Sequence, residues 1–167
     1  MDDSLSLEPW AEGDFWLLLR KNEPVMTAHL GGPESGAKLE ERHARYLALS
    51  AREPAAGRMF RVVAEGESVG SIGFWERVRN GEEVYETGWG ILPEFQGRGL
   101  AARAARALVA HARDHGTRRH LHAFPSVDHA ASNAVCRAAG FVLLGETRFE
   151  YPPGHWHTSN DWRATLG

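Results

Sequence analysis

The feature that most restricts the fold is a glycine-rich turn at residues 96–101, with the sequence Gln-Gly-Arg-Gly-Leu-Ala. A predicted strand over residues 84–92 precedes this turn and ends at Pro93, which cannot continue a central ladder. The predicted helix that follows, residues 99–115, repeats its apolar residues at the spacing of one helix face. A strand, a tight glycine turn and a long helix in succession predict an α/β domain.

The other predicted elements fit one such domain over residues 1–167. Helices come first, then strands, and then a strand–helix–strand–helix–strand succession, which predicts one sheet with helices packed on it. In chain order these elements are a strand over residues 5–10, helices over 14–22 and 35–53, strands over 59–64 and 69–75 that form a hairpin, a strand over 119–125, a helix over 128–139, and strands over 141–151 and 155–166.

Composition excludes several classes of protein. The 167 residues are 43% hydrophobic and 25% charged, as in soluble globular proteins, and the net charge of -3 gives no overall field for binding nucleic acid or an anionic membrane. One cysteine, Cys136, excludes an intrachain disulfide, and the histidines lack the spacing of a metal site. No apolar run approaches a membrane span, and the acidic start does not resemble a secretory signal, so we expect a cytoplasmic protein.

The glycine-rich turn has the properties of an anion site. The first amides of a helix have no partner within the helix and lie at the positive end of its dipole, while glycines let the backbone wrap closely around a phosphate. Arg98 and Arg103 add positive charge near the turn. The sequence therefore predicts a pyrophosphate site, although glycines that serve only a tight strand–helix turn would give the same pattern.

Two other motifs match known patterns in their spacing but lack the structural context that those patterns require. The spacing of Gly97, Gly99 and Ala102 fits a dinucleotide fingerprint, but the next predicted strand, which ends at Pro125, carries no acidic residue for a ribose. Residues 66–70 fit the pattern of a hydrolase nucleophile, but Ser68 lies between two predicted strands rather than at a strand-to-helix turn.

The motifs together resemble a known family. Gln96-x-x-Gly99-x-Ala101 is similar to the coenzyme A-binding signature of the GNAT acetyltransferases, and residues 132–135 leading to Gly140-Phe141 are similar to the second mark of that family. Residues 150–157 resemble the C-terminal hairpin of its RimJ/RimL-type members. The resemblance implies a single-domain α/β fold with a mixed, mostly antiparallel central sheet and helices on both faces.

The resemblance also implies a cofactor site and a base. The backbones of residues 90–92 would pair with the pantetheine arm of acetyl-CoA, and the amide near Ile91 would polarise the thioester carbonyl. Glu150, before the Pro-Pro-Gly turn, matches the glutamate proposed to activate the amine through water, and Glu86 is the alternative base. The cofactor-binding residues implied in this way are Gly90, Ile91, Leu92, Gln96, Gly97, Arg98, Gly99, Leu100, Ala101 and Asn133.

The acid is where the sequence departs from the family. Ser132 resembles the serine that RimL-like enzymes place near the thioester sulfur, whereas the tyrosine that many GNAT enzymes use one turn later is replaced by Cys136. Asn133, beside Ser132, is a candidate for binding pantetheine, but the family's more usual asparagine position holds His129, which is a second departure from the pattern. Ser132, Cys136 and solvent all remain possible proton donors to the leaving thiolate.

The sequence therefore predicts an acetyl-CoA-dependent N-acetyltransferase that acts on a primary amine, either a protein N-terminus or a small molecule. A non-catalytic coenzyme A-binding sensor, suggested by the cysteine at the tyrosine position, is the first alternative. A nucleotide-binding oxidoreductase is the second. Neither nucleic acid nor a membrane is expected as a partner, and a homodimer remains open.

Overall fold

The computed structural model describes residues 4–151 and 153–167. They form seven strands and five helices, connected in part by single turns of 3-10 helix. The strands are β1 Leu5–Pro9, β2 Gly57–Ala64, β3 Glu67–Arg79, β4 Glu82–Ile91, β5 His120–Ala123, β6 Val142–Glu150 and β7 Trp156–Thr165. The helices are α1 Phe15–Lys21, α2 Pro24–Thr27, α3 Gly36–Ser50, α4 Leu100–His115 and α5 Ala130–Ala138.

All seven strands belong to one sheet, in the order β1-β2-β3-β4-β5-β7-β6. Every neighbouring pair is antiparallel except β4 and β5, which are parallel because α4 crosses from one to the other. The prediction of a mixed, mostly antiparallel sheet is therefore confirmed. This parallel pair lies near the centre of the sheet, and the glycine-rich turn and α4 connect its two strands.

Helices cover both faces of the sheet, as expected. Along β2, Phe60 packs into the core formed with α4, whereas the preceding Met59 packs against α1 in a second core. Successive residues of a strand point to opposite faces, so α4 and α1 lie on opposite sides. The face that carries α1 and α3 is called the acceptor face below.

The structure differs from the predicted elements mainly in two places. The short helix α2 was not predicted, because Pro24 at its first position and its length of one turn give no periodic pattern. Strands β3 and β4 extend to a tight turn at Asn80-Gly81, where both residues have positive φ angles of 51° and 81°. Asn-Gly is a favoured pair in such hairpin turns, so the sequence carried this signal. None of the helices within the described residues is long and apolar enough to span a membrane.

Candidate active site

Strands β4 and β5 separate to form a wedge in the centre of the sheet. They pair only from Tyr85 to Thr87 of β4, although β4 continues to Ile91. Beyond β5 the chain turns towards β7, since Pro125 O accepts a hydrogen bond from Asn160 N. The end of β4 therefore has a neighbouring strand on one side only, where it pairs with β3.

The backbone groups that face the wedge belong to Trp89 and Ile91. Leu92 N donates to Val69 O across the β3 side at 2.8 Å. Successive residues of a strand direct their backbone groups alternately to the two neighbours, so Gly90, like Leu92, directs its groups to β3. Of the three residues expected from the sequence to bind pantetheine through the backbone, Ile91 alone directs its backbone groups to the wedge. Trp89, which the sequence motif does not include, does so as well.

The glycine-rich turn joins the end of β4 to the start of α4. Gly97 and Gly99 have φ angles of 81° and 73°, a left-handed conformation that L side chains rarely adopt. Gln96 Nε2 donates to Ile91 O at 2.8 Å, which fixes the turn to the strand. Gly99 is the N-cap of α4 and contributes no side-chain cap, so the first amides of the helix remain available to an anion at its positive end.

The first turn of α5 carries the serine that the sequence predicts as the acid. Ser132 is half-buried, and its hydroxyl lies 3.5 Å from His129 Nε2. The His129 ring is in turn stacked on His29 at a centroid distance of 4.2 Å. Cys136, one turn further, is fully buried, and burial raises the pKa of its thiol to about 12. A group with that pKa remains a neutral thiol at physiological pH.

The side chain of Asn133 forms hydrogen bonds within the protein through all of its polar atoms. Its Nδ2 donates to the carbonyl oxygens of Ser126 and His129, and its Oδ1 accepts from Asn160 Nδ2 and Trp162 Nε1. A side-chain amide has two donor and two acceptor positions, so these four bonds use its full capacity. The arrangement gives Asn133 a structural role, holding α5 against β7, in place of the pantetheine contact expected from the sequence.

The two candidate bases have different environments. Glu86 lies on the acceptor face of β4 with 12% of its side chain exposed, and Arg77 Nη1 donates to its carboxylate at 2.6 Å. Burial raises the pKa of Glu86, an effect that Arg77 offsets only in part. Glu150 is exposed at the end of β6, where its Oε2 accepts from Gly154 N at 3.0 Å. This bond ties the carboxylate to the turn that follows Pro152, which itself lies outside the described residues.

A buried His–Asp pair lies beside Glu86 and was missed by the sequence reasoning. His122, paired in register with Glu86, has its Nδ1 2.6 Å from Asp161 Oδ1. Although burial raises the pKa of Asp161, His122 and Arg79 together hold it below its usual range. The partners lie far apart in the chain, so no local motif could reveal the pair. Among the described residues, no group of three or more histidine, cysteine or acidic side chains could hold a metal ion.

Another set of side chains missed from the sequence lies near Gly90. Lys21, at the end of α1, reaches over Gly90 and donates from Nζ to Ser71 Oγ at 2.6 Å. Burial lowers the pKa of Lys21, and the charge of Arg42 on α3 lowers it further. The wedge, the glycine-rich turn and these polar groups lie around the end of β4, an arrangement that suits a long phosphorylated ligand and a second reactant on the acceptor face.

Comparison with known proteins decides the family. The acetyltransferase (GNAT) domain family matches residues 4–142, most of the chain. The chain belongs to the GNAT acetyltransferase family. Its class as an N-acetyltransferase, predicted from the sequence, is thereby confirmed. This GNAT chain is 26% identical over 149 residues to the ribosomal-protein-serine acetyltransferase of Escherichia coli (strain K12), covering 87% of this chain and 83% of that protein.

Solved structures extend the similarity to the whole GNAT fold. The apo form of the RimL alpha-N-protein acetyltransferase is 25% identical, with a TM-score of 0.79 over 97% of this chain and 90% of that one. The aminoglycoside acetyltransferase AAC(6')-Ib, solved in complex with coenzyme A, is 18% identical and has a TM-score of 0.77 over 97% and 95% of the two chains. The resemblance to RimJ/RimL-type enzymes found in the sequence is confirmed by the ribosomal-protein acetyltransferases among these relatives.

Proposed function

We propose that this enzyme transfers the acetyl group of acetyl-CoA directly to a primary amine, without an acetylated enzyme intermediate. The observation that carries the proposal is the unpaired edge of β4 at Trp89 and Ile91, which leads straight into the glycine-rich turn at the start of α4. Solved relatives with this fold hold coenzyme A or acetyl-CoA. The open edge of β4 suits the pantetheine arm of that ligand, and the glycine-rich turn suits its pyrophosphate.

The backbone holds most of the cosubstrate in this proposal. Trp89 offers its N–H and its carbonyl to the pantetheine arm, as an added strand would use them. The carbonyl of Ile91, which already accepts from Gln96 Nε2, has a second lone pair for the same arm. The amides of the glycine-rich turn, residues 97–101, surround the pyrophosphate, and Gln96 keeps this turn fixed to β4. The guanidinium of Arg98 lies over the Phe95 ring at 5.8 Å, beside the same turn, and adds positive charge there.

Three groups of this chain assist the chemistry. The acceptor amine must be neutral to attack the thioester carbonyl, and Glu150 accepts its proton through a water molecule, with Glu86 as the alternative base. The amide of Ile91 donates to the carbonyl oxygen as negative charge develops on it. Ser132 donates a hydrogen bond to the leaving thiolate, since Cys136 is buried and holds its proton too tightly to be an effective acid.

The acceptor is a primary amine of either of two kinds. The relatives named above act on a ribosomal protein and on aminoglycosides, according to their names, so the fold serves both a protein N-terminus and a small molecule. The fold alone does not select between such acceptors, because specificity is set by side chains on the acceptor face.

Turnover with a panel of N-terminal peptides and small amines, followed by release of free thiol from acetyl-CoA, tests the proposal. Acetyl-CoA should also raise the melting temperature, because it binds the folded state only. Gly99→Asp should abolish both effects by placing a negative charge beside the phosphates. Gly140→Asp is a matched control, because Gly140 also has a positive φ and open space around it but lies at the end of α5.

Two outcomes would contradict the proposal. An equal rise in melting temperature for wild type and Gly99→Asp would mean that the glycine-rich turn does not hold the phosphates. A normal rise without thiol release for any amine would favour the non-catalytic coenzyme A sensor.

A further inference from the structure

Lys21 occupies an unusual position for a lysine. Gly90 has no side chain, and the space above it on the acceptor face is filled by the end of Lys21: a Cβ built on Gly90 would lie 2.6 Å from Lys21 Cε and 3.3 Å from Nζ. The ammonium donates to Ser71 Oγ on β3 at 2.6 Å. Lys21 is therefore half-buried on the floor of the acceptor face, one residue from the Ile91 amide that faces the wedge.

No carboxylate of the described residues forms an ion pair with Lys21. Burial, together with the charge of another cation, Arg42, lowers the pKa of Lys21 to about 8. The nearby carboxylate of Glu34 is engaged elsewhere, since it accepts from Arg42 Nη2 at 2.6 Å with both side chains largely buried. The site thus holds an ammonium that has no ion-pair partner within residues 4–151 and 153–167.

Phenol groups complete this part of the acceptor face. The Arg42 guanidinium lies over the Tyr151 ring at 5.7 Å and also interacts with the hydroxyl of Tyr46. Burial raises the pKa of both tyrosines, so each remains protonated and able to donate a hydrogen bond. Helices α1 and α3 and the β6–β7 hairpin therefore bring two cations and two phenols to one place.

We propose that this group of side chains, Lys21, Arg42, Tyr46 and Tyr151, binds a carboxylate of the acceptor, so that the preferred substrate is an amine that carries a carboxylate close to its nitrogen. The inference rests on the proposed function, which places the reacting amine beside Ile91 and hence beside Lys21. A carboxylate would supply negative charge beside Lys21 and accept hydrogen bonds from the ammonium and the phenol groups. An acidic residue near a peptide N-terminus and the carboxylate of a free amino acid share this chemistry.

The test compares acceptors that differ only in this charge. One pair consists of peptides beginning Ser-Asp and Ser-Asn, and the other consists of a free amino acid and its carboxamide. For the wild type, kcat/KM should be about tenfold to a hundredfold higher for the carboxylate member of at least one pair, the range expected of hydrogen bonds to charged groups. The pair that shows the preference identifies the source of the carboxylate.

Variants of Lys21 and Lys38, the two lysines of the sequence, test whether Lys21 is responsible for the preference for a carboxylate. In Lys21→Met the ratio of kcat/KM between carboxylate and carboxamide should fall towards one, chiefly through a higher KM for the carboxylate, and Lys21→Arg should restore part of it. Lys38→Met, which removes an exposed lysine of α3, should keep the wild-type ratio. The rise in melting temperature with acetyl-CoA verifies that each variant is folded.

The possible failures are distinguishable. Acetylation of carboxylate and carboxamide acceptors at equal rates by the wild type, or an unchanged ratio in Lys21→Met, would overturn the carboxylate site and leave the acetyltransferase proposal intact. If no amine of either class is acetylated, the proposed function fails and the carboxylate site fails with it.

Discussion

Replacing Lys21 by methionine is expected to stabilise the protein at neutral pH, even though it removes a hydrogen bond. The pKa of this lysine falls from its ordinary value of 10.5 to about 8 in the folded protein, because burial and Arg42 disfavour its charge. At about 1.4 kcal/mol per pKa unit, holding the ammonium in place costs the folded state about 3 kcal/mol at pH 7. Methionine keeps a similar apolar stem without the charge.

The loss of the hydrogen bond between Lys21 and Ser71 reduces this gain in stability. Ser71 is fully buried, and its hydroxyl would lose its bond to Lys21 Nζ, at a cost of about 1 kcal/mol. The net expectation for Lys21→Met at pH 7 is therefore a rise of about 2 kcal/mol in the free energy of unfolding.

The pH dependence of the stability difference tests whether the charge of Lys21 is its cause. Between about pH 8 and 10.5 the unfolded wild-type chain binds more protons than the folded chain, so wild-type stability rises with pH in this window. Lys21→Met lacks this ionisable amine, so its stability does not rise in the same window. The difference in the free energy of unfolding between variant and wild type should therefore shrink to near zero by about pH 10. Urea unfolding of wild type, Lys21→Met and the control Lys38→Met at both pH values measures the difference. A variant less stable than wild type at pH 7, or an advantage that does not change with pH, would refute the reasoning.

The remaining predictions concern the site. Glu150→Gln should bind acetyl-CoA normally but lose about 10²–10⁴-fold in rate, as expected of a general base, and a loss confined to Glu86→Gln in the same assay would transfer the role to Glu86. Steady-state kinetics should show a lower kcat for Ser132→Ala with little change in acetyl-CoA affinity, and nearly normal rates for Cys136→Ala; the reverse pattern would make the cysteine the acid. Asn133→Ala should lower the free energy of unfolding by about 1–3 kcal/mol by leaving buried partners unpaired, without a large change in the KM for acetyl-CoA, whereas a change in KM alone would point to a cofactor contact.

Elements with a strong local pattern could be predicted from the sequence. The helix α4 follows from its own apolar stripe, and the conformation of the turn before it follows from Gly97 and Gly99, which have positive φ angles in the structure. The hairpin turn at Asn80-Gly81 depends on an equally local signal, the Asn-Gly pair itself. These features depend on neighbours within a few residues, and for that reason the sequence reveals them.

Features made by distant residues could not be predicted in the same way. Lys21 was correctly placed at the end of a helix, but its contacts with Ser71 and the space above Gly90 depend on how that helix packs on the sheet. Asn133 was noticed for its position, yet its role follows from Trp162 and Asn160 on β7. A single sequence gives the residue types at these positions but not which of them meet.

The connection between β1 and β2 has a consequence for how this enzyme can diverge. These strands are neighbours, with Pro9 opposite Phe60, and the whole segment between them carries α1, α2 and α3. The segment leaves and re-enters the sheet at nearly the same place, so it can be exchanged between related enzymes as one piece while the wedge and the glycine-rich turn are kept. Lys21 and Arg42 both lie in it. New acceptor preferences can therefore arise by replacement of one contiguous module, and chimeras joined at its two ends are the natural way to transplant them.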